Sequence, residues 1–194
     1  MYARAFDDLN LPATNTPVGY DLAAGDWVVP HGKGSTSDLV FTFHRDFRER
    51  FEFNWDLTIQ FPGDGNGWQA ISPAEENPQS ELRYPRTTPA EGYAFNQMYL
   101  AVNRTLNQRW ATNSTCATNY FFRVRTQYDA NKQLKSALYG KLLGPIDVNV
   151  QGAPTAKLRF TYCLNPTSLD RNMEFDPKRN LFRDLKLNED VREP

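Results

Sequence analysis

The sequence predicts an all-β fold: a mostly antiparallel β-sandwich, jelly-roll-like or Ig-like, with at most a short C-terminal helix. Three observations carry that expectation. Phe51, Phe53, Trp55, Leu57, Ile59 and Phe61 alternate with polar residues, and a period of two places one such set on a single face of a strand. Shorter alternations run through Tyr120, Phe122 and Val124 and through Leu158, Phe160, Tyr162 and Leu164. Clusters of Gly, Pro, Asn and Asp punctuate these runs, as turns require. At 194 residues the chain suits one domain over 1–194.

Residues 1–38 hold Pro12, Pro17, Pro30 and Gly32-Lys33-Gly34-Ser35, which suits turns and short edge strands. Leu39, Phe41 and Phe43 then form a strand, and a polar turn over Arg45 to Glu49 leads as a hairpin into the Phe51 to Phe61 run. That run is longer than the usual five or six residues of a strand, so a bend or bulge is expected. Residues 62–92 contain Pro62, Pro73, Pro78, Pro85 and Pro89 with Gly63, Gly65 and Gly67. No ladder runs through such a segment, and long loops in compact domains are where sites are sought first.

Tyr93 to Leu100 reads as a strand, followed by a polar stretch through Asn113-Ser114-Thr115. Residues 119–164 read as a four-stranded antiparallel meander. Its strands start near Tyr120, Leu134, Ile146 and Leu158, with breaks at Asp129 to Lys132, Gly144-Pro145 and Gly152-Ala153-Pro154. From about residue 165 the chain becomes a charged extension. Asp176 as N-cap and Pro177 at the first helical position predict a helix near 177–186 whose Leu181 and Leu185 dock on the sandwich, while Leu185 and Leu187 fit an edge strand equally well.

Composition narrows the function classes. The formal charge is −1, from 22 basic and 23 acidic residues spread along the chain, so no global field favours nucleic acid or an anionic membrane. No stretch approaches the length of a membrane span, and the segment starting at Met1 lacks the apolar core of a signal peptide. Abundant Tyr, Phe, Asn and Thr with only two Cys resemble the β domains of bacterial exported proteins. An extracytoplasmic setting (periplasmic, cell surface or secreted) is expected on composition. Cys116 and Cys163 are too far apart for a CxxC motif and leave one disulfide or two separate thiols.

The sharpest motif is Asp64-Gly65-Asn66-Gly67-Trp68. Asp64, Asn66 and Glu75 resemble part of a calcium loop, but Trp68 stands where a third oxygen ligand belongs and Pro73 interrupts the loop. A plain Asp-Gly/Asn-Gly turn is the simpler reading, with no cofactor required. A Trp presented by such a turn could stack on a sugar, so Trp68→Ala is expected to weaken ligand binding while leaving folding intact. Trp27 and Tyr84 join Trp68, Asp64 and Asn66 as candidate ligand contacts. Trp55 is on the core phase, and Trp110 could face either way.

His31 and His44 are the only imidazoles, and neither has a catalytic setting; His44 reads as a solvated strand end. The common nucleophile-elbow, phosphate-loop and HExxH signatures are missing from the sequence. Carboxylate-pair hydrolysis needs only two acids across a cleft, and 23 candidates leave the pair open. Arg123, Arg125, Lys157 and Arg159 fall on polar strand phases, as do Glu52 and Asp56, and are expected to form cross-strand charge pairs. Asn103-Arg104-Thr105 and Asn113-Ser114-Thr115 fit the glycosylation pattern, too short to carry weight. The expected function is an exported, non-catalytic binding module with a glycan as ligand. Its alternative is a structural or protein-interaction domain of a cell-envelope assembly, and a glycan hydrolase or lyase ranks third.

Overall fold

The computed structural model describes residues 1–49, 52–72, 76, 84–93, 95–104, 111–114, 119–150 and 155–192. Their strands are β1 (Tyr2–Asn10), β2 (Val18–Asp21), β3 (Asp26–Trp27), β4 (Leu39–Glu49), β5 (Glu52–Gln60), β6 (Gly67–Ala70), β7 (Gln97–Arg104), β8 (Ala111–Ser114), β9 (Tyr120–Tyr128), β10 (Leu134–Asn149) and β11 (Lys157–Asn165). They form two antiparallel sheets, ordered β1-β11-β10-β9-β6 and β3-β2-β4-β5-β7-β8. The all-β sandwich read from the alternation is the observed fold.

The alternating residues meet between the layers. Phe41 faces Ile59 and Phe43 faces Leu57 across the β4–β5 hairpin, so one pleat phase turns both strands' apolar side chains to the same side. Phe53, Trp55, Leu57, Ile59 and Phe61 are all buried, together supplying roughly 8–15 kcal/mol of transfer free energy as an upper bound. Aromatic contacts cross the interior: Phe6 to Tyr20 at 5.9 Å, Phe41 to Phe160 at 6.3 Å and Phe61 to Phe122 at 6.3 Å between ring centres. Tyr162 spends its only polar group in the same interior, donating to the Leu22 carbonyl at 2.8 Å.

Several expected boundaries differ. β4 continues to Glu49 where a polar turn was expected, because His44 pairs with Asp56 (3.0 Å) on the solvent side of a ladder that polar residues can extend. β1 is a full nine-residue edge strand, and the polar 111–114 segment is strand β8 beside β7. The meander has three strands, not four, since β10 runs through Gly144-Pro145. Its partners step from Leu143–Thr161 to Asp147–Arg159, a bulge in which Gly144 takes a positive φ of 77° and the ladder never asks proline for an N–H.

A third layer covers the outer face of the first sheet. Ile71, Tyr93, Phe121, Ala137, Tyr139 and Met173 cluster there, and Ala3, Cys163, Phe175 and Val191 form a second group. The charged extension supplies Met173, Phe175 and Val191. It also seals the sheet edge: Asn180 accepts from the Ala3 amide (3.1 Å) and donates to its carbonyl (2.8 Å), while the Glu189 carbonyl accepts from Ala5 (2.9 Å). An edge so paired is closed to strand addition. The expected helix at 177–186 shrinks to one 3-10 turn, Pro177–Arg179, capped by Asp176 as predicted. Asn180 leaves helical geometry to reach Ala3, so Phe182 packs on Tyr2 (5.1 Å) while Leu181 stays exposed.

Cys163 is an unbonded, wholly buried thiol, and Cys116 lies outside the described residues. Burial pushes the Cys163 thiol up to about 11 from 9.0, against the pull of nearby Lys141. A raised folded pKa contributes stability below pH 9 that is lost as pH climbs through about 11. The full swing is about 3 kcal/mol. Urea titrations from pH 8 upward should therefore show the native chain losing stability more steeply than Cys163→Ala; parallel curves would mean that the thiol titrates normally.

Candidate functional site

The Asp64-Gly65-Asn66 turn follows β5 directly and is fastened to β9. The Gly65 carbonyl accepts from Arg123 Nε at 2.7 Å and from Thr126 Oγ1 at 3.4 Å. Asn66 Oδ1 accepts from the Thr126 amide at 3.0 Å, and its Nδ2 donates to the Pro62 carbonyl. Gly65 sits at φ +74°, and a Cβ there would stand 2.1 Å from Tyr128 Oη. Only glycine lets the turn lie this close to β9.

On both sides of the turn, the chain is tied to the segment entering β7. Phe61 N donates to the Asn96 carbonyl and Trp68 N to the Phe95 carbonyl, each at 2.8 Å. Trp68 is 6% exposed, donates from Nε1 to the Gln97 carbonyl at 3.1 Å and meets Tyr120 edge-on at 5.1 Å. Above it lies Phe95, 62% exposed, with ring centres 5.3 Å apart and planes inclined by 33°. Asn96 and Gln97, which follow Phe95 in the chain, are exposed, as is Asp64 in the turn.

The predicted site residues therefore separate. Asp64, Asn66 and Trp68 share the turn, but Trp68 is part of the core and shows no free face to a sugar. The expectation that Trp68→Ala leaves folding intact is corrected: the truncation opens a large void, a change that costs about 3–5 kcal/mol. Trp27 packs between Tyr20 (5.1 Å) and Phe41 (5.4 Å), also in the core. Tyr84 lies apart on the outer layer with Lys141 Nζ 5.7 Å from its ring centre. The calcium reading lacks support, because both polar atoms of Asn66 are engaged, by Thr126 of β9 and by Pro62, and Glu75 lies outside the described residues. Among the described residues no group of three or more His, Cys, Asp or Glu is placed to hold a metal.

Phe95 escaped the sequence reading, although a signal for it existed. Met98, Leu100 and Val102 are the buried residues of β7, so counting back by twos leaves Phe95 off the core phase.

A second polar cluster joins the two sheets. Arg125 of β9 donates to Asp38 through Nε and Nη2 (both 2.8 Å) and to Asp21 through Nη2 (2.8 Å). Asp21 also accepts from the amides of Ala23, Ala24, Ser35 and Thr36, at 3.0–3.1 Å. Burial alone would raise the Asp21 carboxyl, yet these amides and Arg125 outweigh it and hold the group below its ordinary value. At Asp38 burial dominates and pushes the carboxyl up, against Arg125 and the Leu22 amide. The charge-pair expectation for Arg125 is thus corrected: it pairs across the interior. Partners shift between Gln127–Ser136 and Val124–Leu138, and Arg125 itself adopts φ +54°, so a one-residue bulge turns its side chain toward the other sheet. Lys157 does form the expected cross-strand pair, with Asp8 at 3.1 Å. The converging carboxylates Asp21 and Asp38 are clamped by an arginine and by backbone amides, an arrangement that fastens loops.

Compared with known proteins, the chain matches no family model, no curated protein and no solved structure.

Proposed function

We propose that this chain is an exported, non-catalytic β-sandwich binding module whose ligand is a glycan, with Phe95 as the contact platform. One observation carries the reading: a solvent-facing aromatic ring seated on a buried tryptophan and followed in the chain by exposed Asn96 and Gln97. The backing fixes the ring's orientation, so little side-chain entropy is lost when a ligand covers it. Sugar C–H groups are attracted to the negative face of such a ring, and the adjoining Asn96 and Gln97 amides can meet hydroxyls.

The test is retention on a broad glycan array by the native chain and by Phe95→Ala. The variant should unfold like the native chain and bind roughly tenfold more weakly, a loss of about 1.4 kcal/mol. No retention of any glycan by the native chain removes the proposal, and equal retention by both chains removes Phe95 from it. The second reading, a structural or protein-interaction domain of a cell-envelope assembly, draws support from Phe47. That ring is exposed near the far end of β4, with the Arg45 guanidinium 4.7 Å from its centre. Sealing of the β1 edge by Asn180 and Glu189 counts against assembly through that strand.

A further inference from the structure

Asp64-Gly65 and Asn66-Gly67 stand side by side in the turn after β5, and both pairs carry the chemistry of succinimide closure. The backbone nitrogen of the glycine attacks the side-chain carbonyl carbon of the residue before it, and glycine, having no Cβ, hinders that approach least. In an unfolded chain the asparagine pair reacts first, since a neutral amide accepts a nucleophile more readily than an ionised carboxylate does. The fold reverses these conditions. Asn66 is buried, with Oδ1 accepting from the Thr126 amide at 3.0 Å and Nδ2 donating to the Pro62 carbonyl. Closing its ring means breaking both bonds. Gly67 is hemmed in as well: a Cβ there would stand 2.7 Å from the carbonyl oxygens of Tyr93 and Phe95, and the residue already belongs to the β6–β9 ladder. Asp64 has none of these restraints. It is exposed, and it lies between Gly63 at φ +103° and Gly65 at φ +74°. Among the described residues nothing donates to its carboxylate. Aspartates of other loops are pinned by amides two residues further on: Asp129 by Asn131 at 2.8 Å, Asp170 by Asn172 and Asp176 by Lys178, both at 3.0 Å.

We infer that Asp64-Gly65 is a spontaneous modification site, where the folded chain converts Asp64 to isoaspartate with water as the only co-reactant while the fold spares Asn66. The Gly65 nitrogen forms a bond to Asp64 Cγ, and the amide proton leaves with the carboxyl hydroxyl as one water molecule. Water then adds back to the ring. Breaking the new bond restores aspartate, whereas breaking the bond from the nitrogen to the α-carbonyl carbon leaves the chain running through Cβ and Cγ. The mass is unchanged, and nothing is oxidised or reduced. The product lengthens the backbone by one carbon directly ahead of Gly65, whose carbonyl is held by Arg123 Nε and Thr126 Oγ1. The change therefore falls on the fastening between the turn and β9. It requires neither Phe95 nor a glycan, so this site stands or falls independently of the glycan reading.

The native chain is held for several weeks at neutral pH and body temperature beside a sample unfolded in guanidinium chloride. Both are then peptide-mapped with fragmentation that separates isoaspartate from aspartate and detects conversion of asparagine to acid. In the folded sample isoaspartate at Asp64 should exceed loss of the Asn66 amide severalfold; in the unfolded sample Asn66 should react first. Asp64→Glu, one side-chain carbon longer, closes such a ring far more slowly and should leave position 64 unmodified with Asn66 still protected. Loss of the Asn66 amide ahead of Asp64 isomerisation in the folded chain would overturn the inference. So would an intact Asp64 in the folded chain once the unfolded chain has converted its own, or the same order of reaction in both samples. The native chain alone decides each of these, so the outcome does not depend on the variant folding.

Discussion

Arg125→Met should lower the unfolding free energy by about 3–5 kcal/mol at pH 7, the cost of leaving buried charge without its partner. The side chains left behind are Asp38, fully inaccessible, and Asp21, 5% accessible. Asp21 retains its backbone amides, but among the described residues Asp38 keeps only the Leu22 amide, so the loss falls mainly on Asp38. The sign of the pH dependence follows. A carboxyl whose folded pKa is raised favours the folded state below its unfolded value near 3.9 and loses that contribution as pH rises through the folded value. Without Arg125 the Asp38 pKa rises further, so the deficit of the variant should be largest at neutral pH and shrink on acidification. Adding Asp38→Leu to Arg125→Met should restore much of the loss at pH 7. Urea titrations at neutral and mildly acidic pH measure all three; a deficit equal at both would mean that Arg125 acts through packing and not through charge.

That cluster was invisible in the sequence for a physical reason. Arg125 lies 104 residues from Asp21 and 87 from Asp38, and the bulge that turns its side chain inward leaves no mark on the alternation, which assigns Arg125 to the solvent phase. The period-two runs themselves were legible, because each strand carries its own record of which side is wet. So was the turn chemistry: Asp176 caps where predicted, and Gly65 supplies the positive φ. Trp68 was misjudged because a turn motif was allowed to outweigh strand phase: two residues past Asn66 it already belongs to β6 and points inward. The outer layer was hidden too, since Met173, Phe175 and Val191 are single apolar residues in a charged stretch. Their burial depends on irregular backbone that follows no period, and Asn180 fixes that path through bonds to a residue 177 positions away.

The second large effect is expected at Gly140, a residue that alternation treats as filler. A Cβ there would stand 2.0 Å from Cζ of Phe122 and 2.5 Å from the Cys163 carbonyl oxygen. Phe122 and Leu164 face Gly140 from the two neighbouring strands, and Phe122 is fully buried against Phe61, so the ring has nowhere to retreat. Overpacking of this kind costs about 1–3 kcal/mol and occasionally more, and Gly140→Val should exceed Gly140→Ala because its extra carbons meet the same ring and carbonyl. Removing the ring tests the cause. Phe122→Ala alone should cost about 3–5 kcal/mol through the cavity it opens. In the Phe122→Ala background the added methyl of Gly140→Ala occupies vacated space, so the double variant should be more stable than the sum of the single losses implies, by about 1 kcal/mol or more of coupling. Additive losses in a denaturant-based double-mutant cycle would show that the methyl is blocked by the Cys163 carbonyl and not by the ring. The site would then be constrained by the approach of two backbones, and Gly140→Ala would remain as damaging whatever stood at position 122.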